Sequence, residues 1–153
     1  MEEKEYIGIS DNRMQHIVAV ARKCYKLAKT KHGMSETDAQ KAFLMGFLHD
    51  IGYEFSEKST EHPAKGIEML SSFTNMEWGQ MLFAILTHGK PQQYIGTVYQ
   101  KILNEADLTI DHIGTEFTME QRCNEIKDNY GEQSTQYLNA VKMKNRLTKS
   151  MGT

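Results

Sequence analysis

Apolar residues recur at the helical period along nearly the whole chain, and in four of these stripes a histidine or aspartate stands beside or in place of a hydrophobe. The first property restricts the fold to helices, and the second decides what those helices must bury. A first helix opens after Ser10 or Asp11, carries Ile17, Val20, Ala21, Cys24, Leu27 and Ala28 on one face, and closes at His32-Gly33. Ser35, followed three residues on by Asp38, opens a second, with Ala39, Ala42, Phe43, Gly46 and Phe47 on one face and a stop near Gly52.

A short third helix starts at His62 with Pro63 in its first turn, where a missing N–H costs nothing, and its stripe is Ile67 with Leu70. A Thr74–Glu77 capping box opens the fourth, which holds Trp78, Met81, Leu82 and Ile85 in step and ends before Gly89. The fifth follows Pro91 with Ile95, Val98, Tyr99, Ile102, Leu103, Ala106 and Ile110. Two more run from the Thr118–Gln121 box to about Asp128 and from about Glu132 to Leu147. No segment alternates as a strand does. The expected fold class is all-α, a single compact helical domain of about six to seven helices.

Length and charge narrow the function. At 153 residues the chain has the size of one domain with one substantial core. Eighteen Lys and Arg against twenty Asp and Glu give a net charge of -2, so no basic excess exists to neutralise a long nucleic-acid backbone. The longest strongly apolar run, Ala42 to Leu48, is far short of the roughly 20 residues a bilayer requires. The start lacks the basic and apolar regions of a secretion signal, so a cytoplasmic location without membrane contact is expected. The two cysteines, Cys24 and Cys123, belong to no CxxC pair and read as buried hydrophobes.

The chemistry lies in the polar residues on the apolar faces. His16 sits at the edge of the first stripe, and Asp50 continues the second as the series 39, 42, 43, 46, 47, 50. His49 adjoins it, His88 follows Ile85 by three residues, and Asp107 stands between Leu103 and Ile110. Taken singly, a histidine on an apolar face is most simply a hydrogen-bonded core residue. A buried aspartate is harder to explain away, because a carboxylate is rarely buried unless paired or metal-bound. Five such residues on four helices, two of them adjacent, point jointly to a shared metal site.

The order His16, His49-Asp50, His62, His88, Asp107 resembles the HD superfamily of metal-dependent phosphohydrolases, whose signature pair matches Phe47-Leu48-His49-Asp50-Ile51-Gly52. The likeness runs from about Arg13 to Asp111 and includes Arg13 before His16, His62-Pro63 with Gly66, and Ala106-Asp107. It implies a first metal held by His16, His49, Asp50 and Asp107, and a second in the binuclear branch held by His62 and His88 with Asp50 bridging. Imidazole and carboxylate ligands suit Fe, Mn, Ni or Zn, whereas Mg or Ca would favour oxygen alone.

The implied reaction is attack of a metal-bound water on a phosphoester or phosphoanhydride of a small phosphorylated metabolite, in particular a nucleotide. Arg13 and Lys90, beside ligand positions, are candidates to bind the substrate, as are Lys58 and Lys65. Asp50, Lys58 and Glu54 are the candidate catalytic residues. The motif order is similar to that of bacterial diadenosine tetraphosphate hydrolases, with Tyr53 where those enzymes carry a lysine. Two other readings share the ligand set: a diiron oxygenase acting on a small polyol or phosphonate, and a non-catalytic nucleotide-binding module. His32 and His112 match no position of the family and are expected at the surface, and the last two helices either cover the site, close the core or form a homodimer contact.

Overall fold

A computed structural model describes residues 10–50 and 79–151 of the chain, and the architecture is that of those residues. They form six α-helices and one 3-10 turn, without a strand. None of the helices is long and apolar enough to cross a membrane. In chain order they are α1 (Asp11–Thr30), α2 (Glu36–Leu48), α3 (Gly79–Thr87), the 3-10 turn Pro91–Gln93, α4 (Val98–Asp107), α5 (Met119–Tyr130) and α6 (Thr135–Met151). The helix expected at His62 and the Thr74–Glu77 box lie outside the described residues.

The starts follow the capping chemistry. The Ser10 hydroxyl accepts from the Arg13 N–H and that of Ser35 from the Asp38 N–H, each satisfying a donor that has no partner within its helix. Thr118 and Gln121 form a reciprocal capping box at α5. At the far end of α1, Gly33 adopts φ +59, the left-handed turn expected of His32-Gly33.

Three expectations need correction. The helix placed directly after Pro91 is a 3-10 turn followed by extended chain, and α4 begins only at Val98. Gly96 stands at φ +82, a value no helix accommodates, and Thr97 with Gln100 forms a capping box just after it. Ile95 is therefore 73% exposed instead of joining the core. In α2 the buried face is Ala39, Ala42, Met45 and Gly46, while Phe43 and Phe47 are each 38% exposed. A Cβ built on Gly46 would stand 2.8 Å from the Ala21 Cα and 2.9 Å from the Cys24 sulfur. Small residues let α1 and α2 approach backbone to backbone, and that approach rolls both phenylalanines off the interface. Lastly, α5 runs past Asp128 to Tyr130 and α6 starts at Thr135, because Gly131, at φ +99, ends the first helix.

Two apolar clusters hold the helices. The larger joins α1, α2, α3 and α4 through Val20, Cys24, Ala42, Met45, Ile85 and Leu103. The smaller, Leu108, Cys123, Ala140, Met143 and Leu147, seats the α5–α6 hairpin on the end of α4. Both cysteines are buried and unbonded, as expected.

A buried polar network ties α4 to the chain that follows α3. Gln100, fully buried, accepts through Oε1 from the Ile95 and Gly96 N–H groups at 3.0 and 3.1 Å. Its amide nitrogen donates to the Thr87 hydroxyl at 2.9 Å and the Gln93 carbonyl at 3.1 Å. One turn on, the Asn104 side chain accepts from the Gly89 N–H at 2.9 Å and donates to the Gln100 carbonyl. Between Gly89 and Gly96 the only regular structure is the 3-10 turn Pro91–Gln93, so these two side chains supply partners for backbone groups that the turn leaves over.

Candidate metal centre

Four helices bring five of the expected residues to one place. His16 lies on the buried face of α1, His49 caps the C-terminus of α2 with Asp50 next to it, His88 follows the end of α3, and Asp107 is the last residue of α4. His16 Nε2 is 3.0 Å from Asp107 Oδ1 and 3.6 Å from Asp50 Oδ2. His49 Nε2 is 3.1 Å from Asp50 Oδ2 and 3.3 Å from Asp107 Oδ1. The other Asp50 oxygen, Oδ1, lies 3.6 Å from His88 Nε2. One carboxylate thus divides its two oxygens between the His16–His49 pair and His88.

The backbone fixes which nitrogen of each ring faces inward. His49 Nδ1 donates to the Gly46 carbonyl and His88 Nδ1 to the Ile85 carbonyl, both at 2.5 Å. Each ring folds back onto a carbonyl three residues earlier, in the last turn of its helix. His16 Nδ1 donates to the Asp111 carbonyl at 2.7 Å. A carbonyl only accepts, so all three Nδ1 atoms carry hydrogen and all three Nε2 atoms are left to face the carboxylates.

The turn that presents Asp111 is built for this contact. Its carboxylate accepts from the Ile113 and Thr115 N–H groups at 3.0 and 2.7 Å, and a single bridge pairs Ile110 with Glu116. Gly114, at φ +94, has no Cβ to collide with the Gln15 carbonyl oxygen, which an added Cβ would meet at 2.6 Å.

Electrostatically the cluster is unfinished. Burial is the largest influence on His49 and disfavours its charge, yet the Asp50 and Asp107 carboxylates outweigh burial and raise its pKa to about 10. Burial likewise disfavours charge on Asp107, but His16 and His49 hold its carboxyl well below the ordinary range. His49 Nε2 is nevertheless buried without a hydrogen bond, because the two nearby carboxylate oxygens lie off the ring N–H direction. A buried nitrogen with oxygens near but unaligned suits a shared cation better than it suits a proton. The donors fall into two overlapping sets within ligating reach, His16 with His49 and Asp107, and His49 with Asp50 and His88. Neutral imidazole and carboxylate are the donor types of divalent transition ions.

A cavity of about 260 Å³ opens onto the cluster at His16, Asp50, His88 and Asp107. Arg13 and Lys90 line it, and Arg13 Nη1 is 3.5 Å from Asp50 Oδ2. Asn104 joins the lining from α4, and much of the rest comes from α5 and α6. Helical periodicity does not mark Gln100, Asn104 or the Asp111 carbonyl. The Thr97–Gln100 box and the Asp111–Gly114 turn spacing were the available signals. Glu54, Lys58, His62 and Lys65 lie outside the described residues. His32 stands away from the cluster, near Lys31, Lys101 and Glu105, and burial lowers its pKa. His112 is exposed, as expected, and pairs with Glu125 at 2.6 Å.

Residues 13–114 match the HD domain family, about two thirds of the chain and the whole span of the ligand cluster. No curated protein and no solved structure matches the chain. With that span matched and the fold all-helical, the chain belongs to the HD domain family, a superfamily of metal-dependent phosphohydrolases.

Proposed function

We propose that this chain hydrolyses a phosphoester or phosphoanhydride of a small phosphorylated metabolite, a nucleotide in particular, with one or two divalent ions of Fe, Mn, Ni or Zn. The observation that carries the reading is the buried His49 Nε2, without a hydrogen bond yet within 3.1 and 3.3 Å of two carboxylates. His16, His49, Asp50 and Asp107 would hold a first ion, and Asp50 with His88 would serve a second, to which the family resemblance adds His62. Bound there, such an ion supplies Lewis-acid polarisation of a phosphoryl group and an acidified water.

The chain's own residues do the rest. Arg13 and Lys90 place positive charge on the cavity wall beside the cluster, where phosphoryl oxygens are neutralised and oriented. The three backbone-anchored imidazoles keep their Nε2 atoms pointed inward at no cost in reorganisation when ligand binds. Asp50, 4% exposed, lies between His49, His88 and Arg13 and is the residue on which the rings converge.

Elemental analysis of the purified protein tests the reading, followed by phosphate release from phosphomonoesters and phosphodiesters with each metal restored. The expected result is bound transition metal in wild type, lost in Asp50→Ala together with turnover. Equal metal content in the two proteins would sink the assignment.

A further inference from the structure

The α5–α6 hairpin lies beyond residue 114, where the family match ends, yet it forms much of the wall of the cavity that opens onto the cluster. Its chemistry differs from that of the cluster end. Asn129, Gln136 and Asn139 offer amide donors and acceptors, while Ile126 and Met143 offer apolar surface. The one cation of the hairpin in this wall, Arg122, is matched by Glu125, to which its guanidinium is hydrogen-bonded. The hairpin side of the cavity is therefore neutral, and the cations beside the cluster, Arg13 and Lys90, stand outside it.

We propose that the α5–α6 wall selects the substrate by taking a neutral, flat ring with hydrogen-bonding edges and apolar faces, that is, the base of a single nucleoside monophosphate. This rests on the phosphohydrolase reading for the position of the phosphate. Amide side chains match donors and acceptors at a ring's edge, and apolar side chains cover its faces. A second phosphate group would meet no unpaired cation of the hairpin, which excludes it from this wall. The volume, about 260 Å³, is at the small end for ligand sites and suits one nucleoside unit rather than two. Asn139 and Gln136 are specificity residues, with no part in the bond-breaking step.

The test compares wild type with Asn139→Ala and Gln136→Ala, each checked for native helicity and metal content. Phosphate release by the Mn-loaded proteins is measured on the four ribonucleoside monophosphates, ribose 5-phosphate and p-nitrophenyl phosphate. Wild type is expected to prefer at least one nucleoside monophosphate to ribose 5-phosphate. Each variant is expected to raise KM for that nucleotide by about three- to tenfold, the effect of one lost hydrogen bond, with turnover of ribose 5-phosphate, which has no base, unchanged. Calorimetric binding of the matching nucleoside, which has no phosphate to lose, should weaken by the same factor.

Variants that keep the wild-type preference and nucleoside affinity overturn the proposal. So does a wild type that favours ribose 5-phosphate over every nucleoside monophosphate. If wild type releases phosphate from nothing, the hydrolase reading fails, and the calorimetric comparison still decides whether this wall holds a base.

Discussion

His49 shows how one side chain makes a buried site depend on a cation. Its pKa is raised to about 10 in the metal-free chain, above the ordinary value of 6.5, so the charged ring adds stability that is fully present below pH 6.5 and lost as pH climbs through about 10. Thermal melts of chelated protein should therefore fall between pH 7 and 10, and a flat profile would contradict the charge assignment. The same proton competes with metal. Metal uptake at pH 7 to 8 should release a proton, and affinity should weaken as pH falls, which calorimetry in buffers of differing ionisation enthalpy measures. Asp107→Asn removes a ligand oxygen and should cut turnover by more than the 10- to 100-fold typical of a change in a ligand's outer partner. Metal per chain, read by elemental analysis, should fall with it.

At the level of elements, two glycines and a glutamine set where the ligands stand. Gly46→Ala would press a methyl group against the Ala21 backbone, part α1 from α2, and cost about 1–3 kcal/mol in denaturant unfolding. Gly114→Ala meets both a positive φ of +94 and the Gln15 carbonyl, so it should loosen the Asp111 turn that anchors His16. Weaker metal binding, beyond any loss of stability, is the expected sign. Gln100→Ala strips partners from several buried groups around residues 87–97 and should destabilise the chain by about 1–3 kcal/mol for each group left unsatisfied. Gln100→Glu keeps the acceptor, loses the donor to Thr87 and should be no better.

Across the whole molecule, metal and fold are linked. If four helices converge on the metal site, adding Mn to chelated protein should raise the melting temperature in a concentration-dependent way, by about 2.7 kcal/mol of stability at a hundredfold excess over Kd. Met143→Ala, in the smaller apolar cluster, should cost about 2–5 kcal/mol and loosen the α5–α6 hairpin while leaving the ligand helices in place. The helices, their caps at Ser10, Ser35 and Thr118, and the inward set of His16, Asp50, His88 and Asp107 were legible because periodicity and capping are local. His49 needed its neighbour and the family resemblance, since it sits at a helix end where the period no longer says which way a side chain points. The sequence by itself determined an all-helical chain that buries imidazoles and carboxylates on facing stripes. Only the tertiary structure decided that three backbone carbonyls turn the rings inward, that glycines bring α1, α2 and the Asp111 turn close enough, and that the hairpin from the chain's far end walls the cavity. The His16–Asp111 contact, the glycine approaches and the hairpin wall join residues far apart in sequence, which no local pattern records, while His49 and His88 turn back on carbonyls only three residues away, a choice that the helical period does not specify at a helix end.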